Sequence, residues 1–252
     1  MAAPKNIPDS PFADDDGSAD TRLAEALAAH AKEPTADTQA AVLAALRGAR
    51  LLVPVVALLT EAEVGEDGLR RDRTSEMAIP TLTGPGGRKA LPAFTSTDAL
   101  TLWDPDARPV AVPLQQAIQA AVSERADTLA LDIAGPAPYE LSGTALLAAA
   151  EGRDSADPLD DPAVHAAVRE VLAADEAVRA AHLGPGGADA DGTLALVLEP
   201  GAQAQAAGAA QRVAQALASH DALRARLRRG LTLALIPAEA AARLPGEPVY
   251  RR

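Results

Sequence analysis

Hydrophobic residues along the first third of the chain recur at two spacings, one typical of helices and one typical of buried strands. Leu23 and Leu27 stand four residues apart in a predicted helix capped near Asp20, and a second helix is predicted over 37–48. The near-continuous apolar run at 51–58 instead predicts a strand covered on both faces. Because Pro54 has no backbone N–H, this strand is predicted to lie at a sheet edge or to begin late.

The same alternation of strands and helices continues to residue 152. It predicts strands at 76–82, 88–94 and 128–133, and helices at 95–103, 113–125 and from Leu141 to Gly152. Segments 61–74 and 105–112 are predicted to connect these elements, and Gly84 to Gly87 to form the turn of a hairpin. Residues 20–152 are therefore predicted to form an α/β domain, a mixed sheet with flanking helices.

The last hundred residues predict a second, smaller domain of α+β type at 163–252. Its predicted helices are 163–173, 204–219 and a short one from Asp221 that stops before Gly230, and its predicted strands are 178–183, 193–198, 231–236 and 248–252. Residues 153–162 contain two Asp-Pro pairs and are predicted to be a linker. The fold class is thus α/β (α+β) in two parts.

Composition limits both the core and the partners. Hydrophobic residues make up 48% of the chain but aromatic residues only 2%, so Leu, Val and Ala have to fill the core. The net charge of −12 disfavours nucleic acid and anionic membranes as partners. The absence of cysteine excludes disulfides, thiol catalysis and Cys-ligated zinc.

The N-terminal segment is predicted to be an acidic, flexible leader over residues 1–19. It is rich in proline and aspartate and has no apolar stretch typical of a signal peptide. No apolar run in the chain reaches the roughly 20 residues needed to span a bilayer. We therefore expect a cytoplasmic protein.

Three stretches resemble a known family, namely Met77-Ala78-Ile79-Pro80, Leu91-Pro92-Ala93-Phe94-Thr95-Ser96 and Leu100-Thr101-Leu102-Trp103. They are similar to the SseB family of enhanced-serine-sensitivity proteins, and the 126–132 stretch with the Gly135-Pro136 turn fits as well. The resemblance covers roughly 40–152, and the part at 163–252 is similar, more loosely, to the C-terminal domain of the same family. The whole chain looks like the actinobacterial branch. It implies an α/β fold and no established activity, so it supplies no catalytic residues or cofactor.

Two basic groups are candidate anion contacts. Arg88 and Lys89 follow the glycines of the predicted hairpin turn, although the spacing lacks the Gly-Lys-Ser/Thr of a phosphate loop, which favours a plain turn. Arg224 and Arg228 stand four residues apart and are predicted to share one helical face, where an anionic partner or the helix dipole would explain them. The four histidines are isolated in sequence, so surface positions and no metal site are predicted.

The Phe94-Thr95-Ser96 stretch is the other candidate site. Thr95, three residues before Asp98, is predicted to cap the following helix, which makes the stretch a strand-to-helix junction. Alternatively the junction borders a binding surface with Trp103 as its aromatic anchor.

No nucleophile–base pair, metal-ligand spacing or cofactor motif is found, so no catalytic or metal-binding residue and no cofactor is assigned. The sequence favours a non-enzymatic cytosolic adaptor that binds another protein. The alternative is a sensor of a small anion or metabolite, or an unrecognised enzyme, with a cleft between its domains. The oligomeric state stays open.

Overall fold

A computed structural model describes residue 12 and residues 15–59, 75–244 and 246–252. The chain divides into two compact units, residues 1–156 and 157–252, called here the N-terminal and C-terminal units. The division falls inside the stretch 153–162 that the sequence predicts as a linker. Most of the predicted leader, and the connecting segment predicted at 61–74, lie outside the described residues.

The N-terminal unit contains two sheets and five helices in its described part. The helices are α1 (Thr21–Lys32), α2 (Ala36–Gly48), α3 (Thr97–Trp103), α4 (Leu114–Ser123) and α5 (Gly143–Ala150). The strands are β1 (Arg50–Leu59), β2 (Ser75–Ala78), β3 (Leu82–Thr83), β4 (Lys89–Ala93), β5 (Arg108–Pro113), β6 (Thr128–Leu131) and β7 (Tyr139–Ser142). The sheet orders are β2-β1-β5 and β3-β4-β6-β7, and only β4 and β6 pair in parallel.

Leucine and alanine fill the core of this unit, as the low aromatic content predicts. All four residues of β6 are buried, and the core places Leu23 of α1, Leu46 of α2 and the alanines of α4 and α5 around the sheets. Ala117 and Ala148 have no exposed surface. Small side chains let helices approach the sheet closely, so the composition is compatible with a densely packed core.

The predicted helix starts are confirmed for α1 and α2. The Asp20 carboxylate accepts a hydrogen bond from the Leu23 N–H at 3.0 Å. Thr35 and Thr38 form a reciprocal capping box at the start of α2. Local side chains therefore fix both N-termini.

Four predictions about this unit are wrong in detail. The strand predicted at 76–82 is divided into β2 and β3, because the segment with Pro80 leaves one sheet before the chain enters the other. The connecting segment predicted at 105–112 contains strand β5. Leu141 lies in β7 rather than at the start of the helix. Pro54 lies in the middle of β1, the central strand of its sheet.

The alternation of backbone bonds explains how β1 accommodates Pro54. The N–H and C=O of Leu52 both bond to Phe94, at 2.8 and 2.9 Å, on the side away from β5. Pro54 is two residues further along, so its missing N–H points to that same side. The pairing with β2 begins only at Val56. Pro54 thus falls in the gap between two sets of hydrogen bonds, where no donor is needed.

The C-terminal unit is a four-stranded sheet with helices. Its helices are α6 (Pro162–Ala173), α7 (Ala206–Ser219), α8 (Asp221–Arg226) and α9 (Ala238–Ala241), and its strands are β8 (Val178–Pro185), β9 (Gly192–Leu198), β10 (Leu231–Leu235) and β11 (Tyr250–Arg251). The order is β10-β9-β8-β11, with β10 parallel to β9 and the other pairs antiparallel. The sequence missed α9 but predicted the other elements, including β11 at an edge, and the α/β (α+β) class is confirmed for the chain.

We predict that the two units, expressed separately as residues 1–156 and 157–252, each fold. Each has its own cluster of buried aliphatic side chains, built in the C-terminal unit from Val168, Leu172, Leu194 and their neighbours. Differential scanning calorimetry should give each fragment one cooperative transition with an enthalpy of about 0.7 kcal/mol per residue near 60 °C. If a fragment showed no unfolding transition while the intact chain did, the two cores would depend on each other.

Candidate functional site

Thr95 lies where the parallel strands β4 and β6 end side by side. Its N–H donates to Oδ1 of Asp132 at 2.8 Å and its hydroxyl donates to Oδ2 at 2.7 Å. Thr95 is 4% exposed, and Asp132 has a φ of +46°, which is unusual for a residue other than glycine. The predicted capping role of Thr95 is wrong, because the Ser96 hydroxyl instead accepts from the Ala99 N–H at 3.1 Å.

The other side of this junction is held by Arg50. Its guanidinium pairs with the Asp15 carboxylate and donates to the backbone carbonyls of Thr95 and, at 2.7 Å, Ser18. The hydrogen bond from Arg50 lowers the pKa of Asp15. Residues 15–18, predicted to be part of the leader, therefore contact the N-terminal unit.

Gly17 fixes how closely that segment approaches helix α3. Its carbonyl accepts from the Thr97 N–H at 2.8 Å, and its φ is +80°. A Cβ at this position would lie 2.3 Å from the Thr97 hydroxyl oxygen. Only glycine fits this contact without displacement.

Phe94 and Trp103 form a small aromatic cluster beside the junction. Their ring centroids are 5.3 Å apart, Phe94 is fully buried, and Trp103 is half-buried. Leu102 is 65% exposed and Val110 of β5 is 46% exposed. Phe94 is thus a core residue, whereas Trp103 packs against the cluster of Leu52, Phe94 and Leu100 while keeping part of its surface exposed.

Arg88 and Lys89 lie on the β3–β4 hairpin. The predicted turn is confirmed: Gly86 and Gly87 have φ values of +74° and +78°, and strand β4 rather than a helix follows. Both basic side chains are exposed, and neither hydrogen-bonds to another residue in the described ranges. The hairpin therefore lacks the helix N-terminus that a phosphate loop uses.

The arginines at 224–229 have different surroundings. Helix α8 ends at Arg226, so the prediction that Arg224 and Arg228 share a helical face is wrong. Arg226 donates to Oδ2 of the buried Asp161 at 2.9 Å, and the Arg229 N–H donates to Oδ2 of Asp191 at 2.6 Å. Arg224 and Arg228 are exposed.

A cavity of about 330 Å³ lies between α7, α8 and β10. Its walls are mainly aliphatic, with Leu217, Leu223 and Leu233 among them, and Arg224 and Arg229 are the charged residues of its described lining. The structure therefore brings one predicted site residue, Arg224, to an apolar cavity in the C-terminal unit.

Strand β10 forms one edge of its sheet beside this cavity. The Ile236 N–H donates to the Leu196 carbonyl and the Gly230 carbonyl accepts from Asp191, so even-numbered residues bond toward β9. By alternation the N–H and C=O groups of Leu231, Leu233 and Leu235 point outward. None of these three N–H groups has a hydrogen-bond acceptor among the described residues.

Comparison with known families identifies the N-terminal unit. The sequence model of the SseB protein N-terminal domain matches residues 23–148, half of the chain. The chain belongs to the SseB family. No curated protein and no solved structure matches it. The SseB match includes Thr95 and Asp132 but ends before the C-terminal unit, so the cavity and the β10 edge lie outside it.

Neither a metal cluster nor a membrane helix is found in the described part of this SseB-family chain. Residue 12 and residues 15–59, 75–244 and 246–252 contain no group of three or more His, Cys, Asp or Glu side chains placed to hold a metal. Within the same ranges, no helix has the length and apolarity needed to cross a bilayer.

The histidines are half-buried rather than at the surface as predicted; Nδ1 of His30, for instance, lies 2.9 Å from the Thr38 hydroxyl.

Sequence reasoning missed Asp132, Arg50 and Asp161. The position of Asp132 directly after the buried strand β6 is a weak sequence signal, since such a carboxylate often hydrogen-bonds to the end of the neighbouring strand. Arg50 and Asp15 are 35 positions apart and Arg226 and Asp161 are 65 apart, so no local pattern links them.

We predict that Thr95→Val destabilises the SseB domain by about 1.5–3 kcal/mol, the usual contribution of a hydrogen bond to a charged group. Valine keeps the shape but leaves Oδ2 of Asp132 without the hydroxyl donor. The matched control is Thr101→Val on the exposed side of α3. Urea unfolding measures both; equal stabilities of the two variants would contradict a stabilising role for the Thr95–Asp132 pair.

The Asp15–Arg50 pair predicts an acid-side loss of stability. Because the pKa of Asp15 is lowered in the folded protein, its contribution is fully present above about pH 4, the ordinary value for aspartate, and is lost as the pH falls through the lowered value. Asp15→Asn should flatten this part of the pH–stability curve measured by urea unfolding. The exposed Asp106→Asn is the control; identical curves for the two variants would contradict the assignment.

Proposed function

We propose that this SseB-family chain is a non-enzymatic cytoplasmic binding protein that adds an extended segment of another protein to the edge of β10. The observation that carries the proposal is the row of outward backbone groups at Leu231, Leu233 and Leu235, which have no partner among the described residues. An open strand edge of this kind provides main-chain hydrogen bonds to an added strand.

The side chains next to this edge support selectivity. Leu231 and Leu233 line the 330 Å³ aliphatic cavity, and Leu235, in the same alternating set, is 45% exposed. In strand addition, alternate side chains of the incoming segment enter such pockets while its backbone pairs with the edge. An apolar residue at every second position of the partner would fit.

Charge favours an acidic partner segment. Arg224 lines the cavity and the exposed Arg228 follows four residues later, in a chain whose net charge is −12. The third arginine, Arg229, already pairs with the Asp191 carboxylate at 3.8 Å, so Arg224 and Arg228 carry the positive charge that is left. A local positive surface on an acidic protein attracts acidic segments and repels basic ones, which affects the association rate and the choice of partner. The proposed occupant is thus an extended acidic segment with alternating apolar residues.

Strand β5, an edge strand of the N-terminal unit, is poorly suited to the same role. Residues Arg108, Val110 and Val112 pair toward β1, so Pro109, Ala111 and Pro113 face outward. Two of these three residues lack an N–H and cannot donate to an added strand. Proline protects β5, whereas β10 contains no proline and no charged residue.

The alternative of an anion sensor built on Arg88 and Lys89 is less well supported. Both side chains are exposed on a hairpin whose turn is followed by strand β4, so no helix N-terminus adds backbone N–H donors beside them.

The experiment selects random twelve-residue peptides displayed on phage against the full chain. A selected peptide, synthesised with a fluorophore, is then titrated with the protein and its anisotropy is measured. We expect acidic residues alternating with apolar ones. Leu235→Pro removes one outward N–H at an exposed position and should weaken binding about tenfold, as should Arg224→Glu. Arg243→Glu, at an exposed arginine outside the cavity lining, should leave the affinity unchanged.

Amide hydrogen exchange locates the bound peptide independently of the variants. The N–H groups of Leu231, Leu233 and Leu235 should gain protection in the complex. Peptides that bind Leu235→Pro and wild type equally and leave these amides unprotected would overturn the proposal. A dimer in analytical ultracentrifugation that Leu235→Pro dissociates would also overturn it, since the occupant would then be a second copy of the chain.

A further inference from the structure

A second cavity lies in the C-terminal unit, with a lining that shares no residue with the β10 cavity. It has a volume of about 490 Å³, within the usual range for small-ligand sites. Strands β8, β9 and β11 contribute Ala180, Val197 and Arg251, and the α9 region contributes Ala238 and Leu244. The cavity is therefore formed between the sheet and the segment that covers it.

Strand pairing brings two arginines together at this cavity. Arg251 of β11 pairs with Ala180 of β8. A β-bulge between Val178 and Ala180 inserts Arg179 as an extra residue next to that pair. Bulges redirect a side chain and are frequent beside binding sites. Arg179 and Arg251 both line the cavity as a result.

Two of the three arginines in the described lining are not neutralised by the described residues around them. The side chains of Arg179 and Arg251 are exposed and form no hydrogen bond or ion pair with any residue in the described ranges. Arg252 differs, since it donates to the Asp175 carbonyl at 3.4 Å and is attracted by Glu176 and Glu199. The described lining contains three arginines and no aspartate or glutamate, in a chain that carries 35 acidic residues. Clustered like charges repel one another, so a bound anion would stabilise the arrangement.

His182 adds a polar group to the same lining. It is half-buried on β8, and its Nδ1 is buried without a hydrogen-bond partner among the described residues. A buried ring nitrogen without a partner costs free energy unless a ligand or water pairs with it. The histidine and the arginines thus favour the same kind of occupant.

We propose that this cavity binds a small aliphatic metabolite with a doubly charged anionic group, a phosphate monoester or a dicarboxylate. Arginine pairs with either group through two parallel N–H donors. The remaining walls are aliphatic, from Ala238, Ala241, Ala242 and Leu244, and suit a short hydrocarbon body. The described lining has no aromatic ring other than the imidazole, so a nucleobase would lack a stacking surface.

The test is thermal unfolding and isothermal titration calorimetry of the full chain with n-butyl phosphate and, separately, glutarate. Butanol and sodium chloride at matched ionic strength are the ligand controls. We expect one of the two anions to raise the melting temperature in a saturable way and to bind with one-to-one stoichiometry, and that anion identifies the charged group. Arg251→Gln and Arg179→Gln should each weaken binding at least tenfold.

The matched control variant is Arg228→Gln, an exposed arginine of the same unit that does not line this cavity. It should bind the anion like wild type, which also separates this site from the peptide surface at β10. His182→Asn serves as a second variant should Arg251→Gln disturb β11, and it should weaken binding with the fold retained. Stabilisation no greater than that by chloride, or an equal loss of binding in Arg228→Gln, would overturn the proposal.

Discussion

The parallel pairing of β10 with β9 is the constraint on which the open strand edge and the aliphatic cavity of the C-terminal unit depend. Parallel neighbours need a crossover, and α7 and α8 provide it, with Val213, Leu217 and Leu223 buried against the sheet. The first residue of β9, Gly192, leaves room for the Leu231 side chain of β10, since a Cβ at Gly192 would lie 3.0 Å from that side chain and 2.6 Å from the Leu159 side chain. As β10 is the last strand on that side, its outward N–H groups stay available while the crossover helices supply the apolar cavity.

Buried carboxylates decide which arginines of the C-terminal unit can act on a partner. Asp161 is 2% exposed, accepts from the Ala163 N–H at 2.8 Å and pairs with Arg226, which ties the start of α6 to α8. Such a buried ion pair contributes little net free energy to folding, but removal of one partner would leave an uncompensated buried charge and destabilise the protein. Arg226 is therefore structural, whereas the neighbouring Arg224 and Arg228 are exposed and are the arginines assigned to the proposed partner.

The SseB domain uses its polar groups differently. Thr95, Asp132, Arg50 and Asp15 bond to one another at the ends of β4 and β6, where α/β sheets often bind ligands. These hydrogen bonds and the ion pair link the ends of β4 and β6 to the start of α3 and to the segment 15–18. The groups without partners lie instead at β10 and around Arg179 and Arg251, which is why both proposals concern the C-terminal unit.

Local sequence determined most elements and the SseB identity of this chain. Apolar periodicity and caps such as Asp20 act over a few residues, so they predicted α1, α2, β6 and the hairpin at Gly86 and Gly87. Contacts between distant positions were beyond that reasoning. The Arg50–Asp15 pair, the bulge at Arg179 and the free edge of β10 exist only after strands are ordered in a sheet. Strand order depends on which apolar faces pack together, and tertiary structure alone decides that.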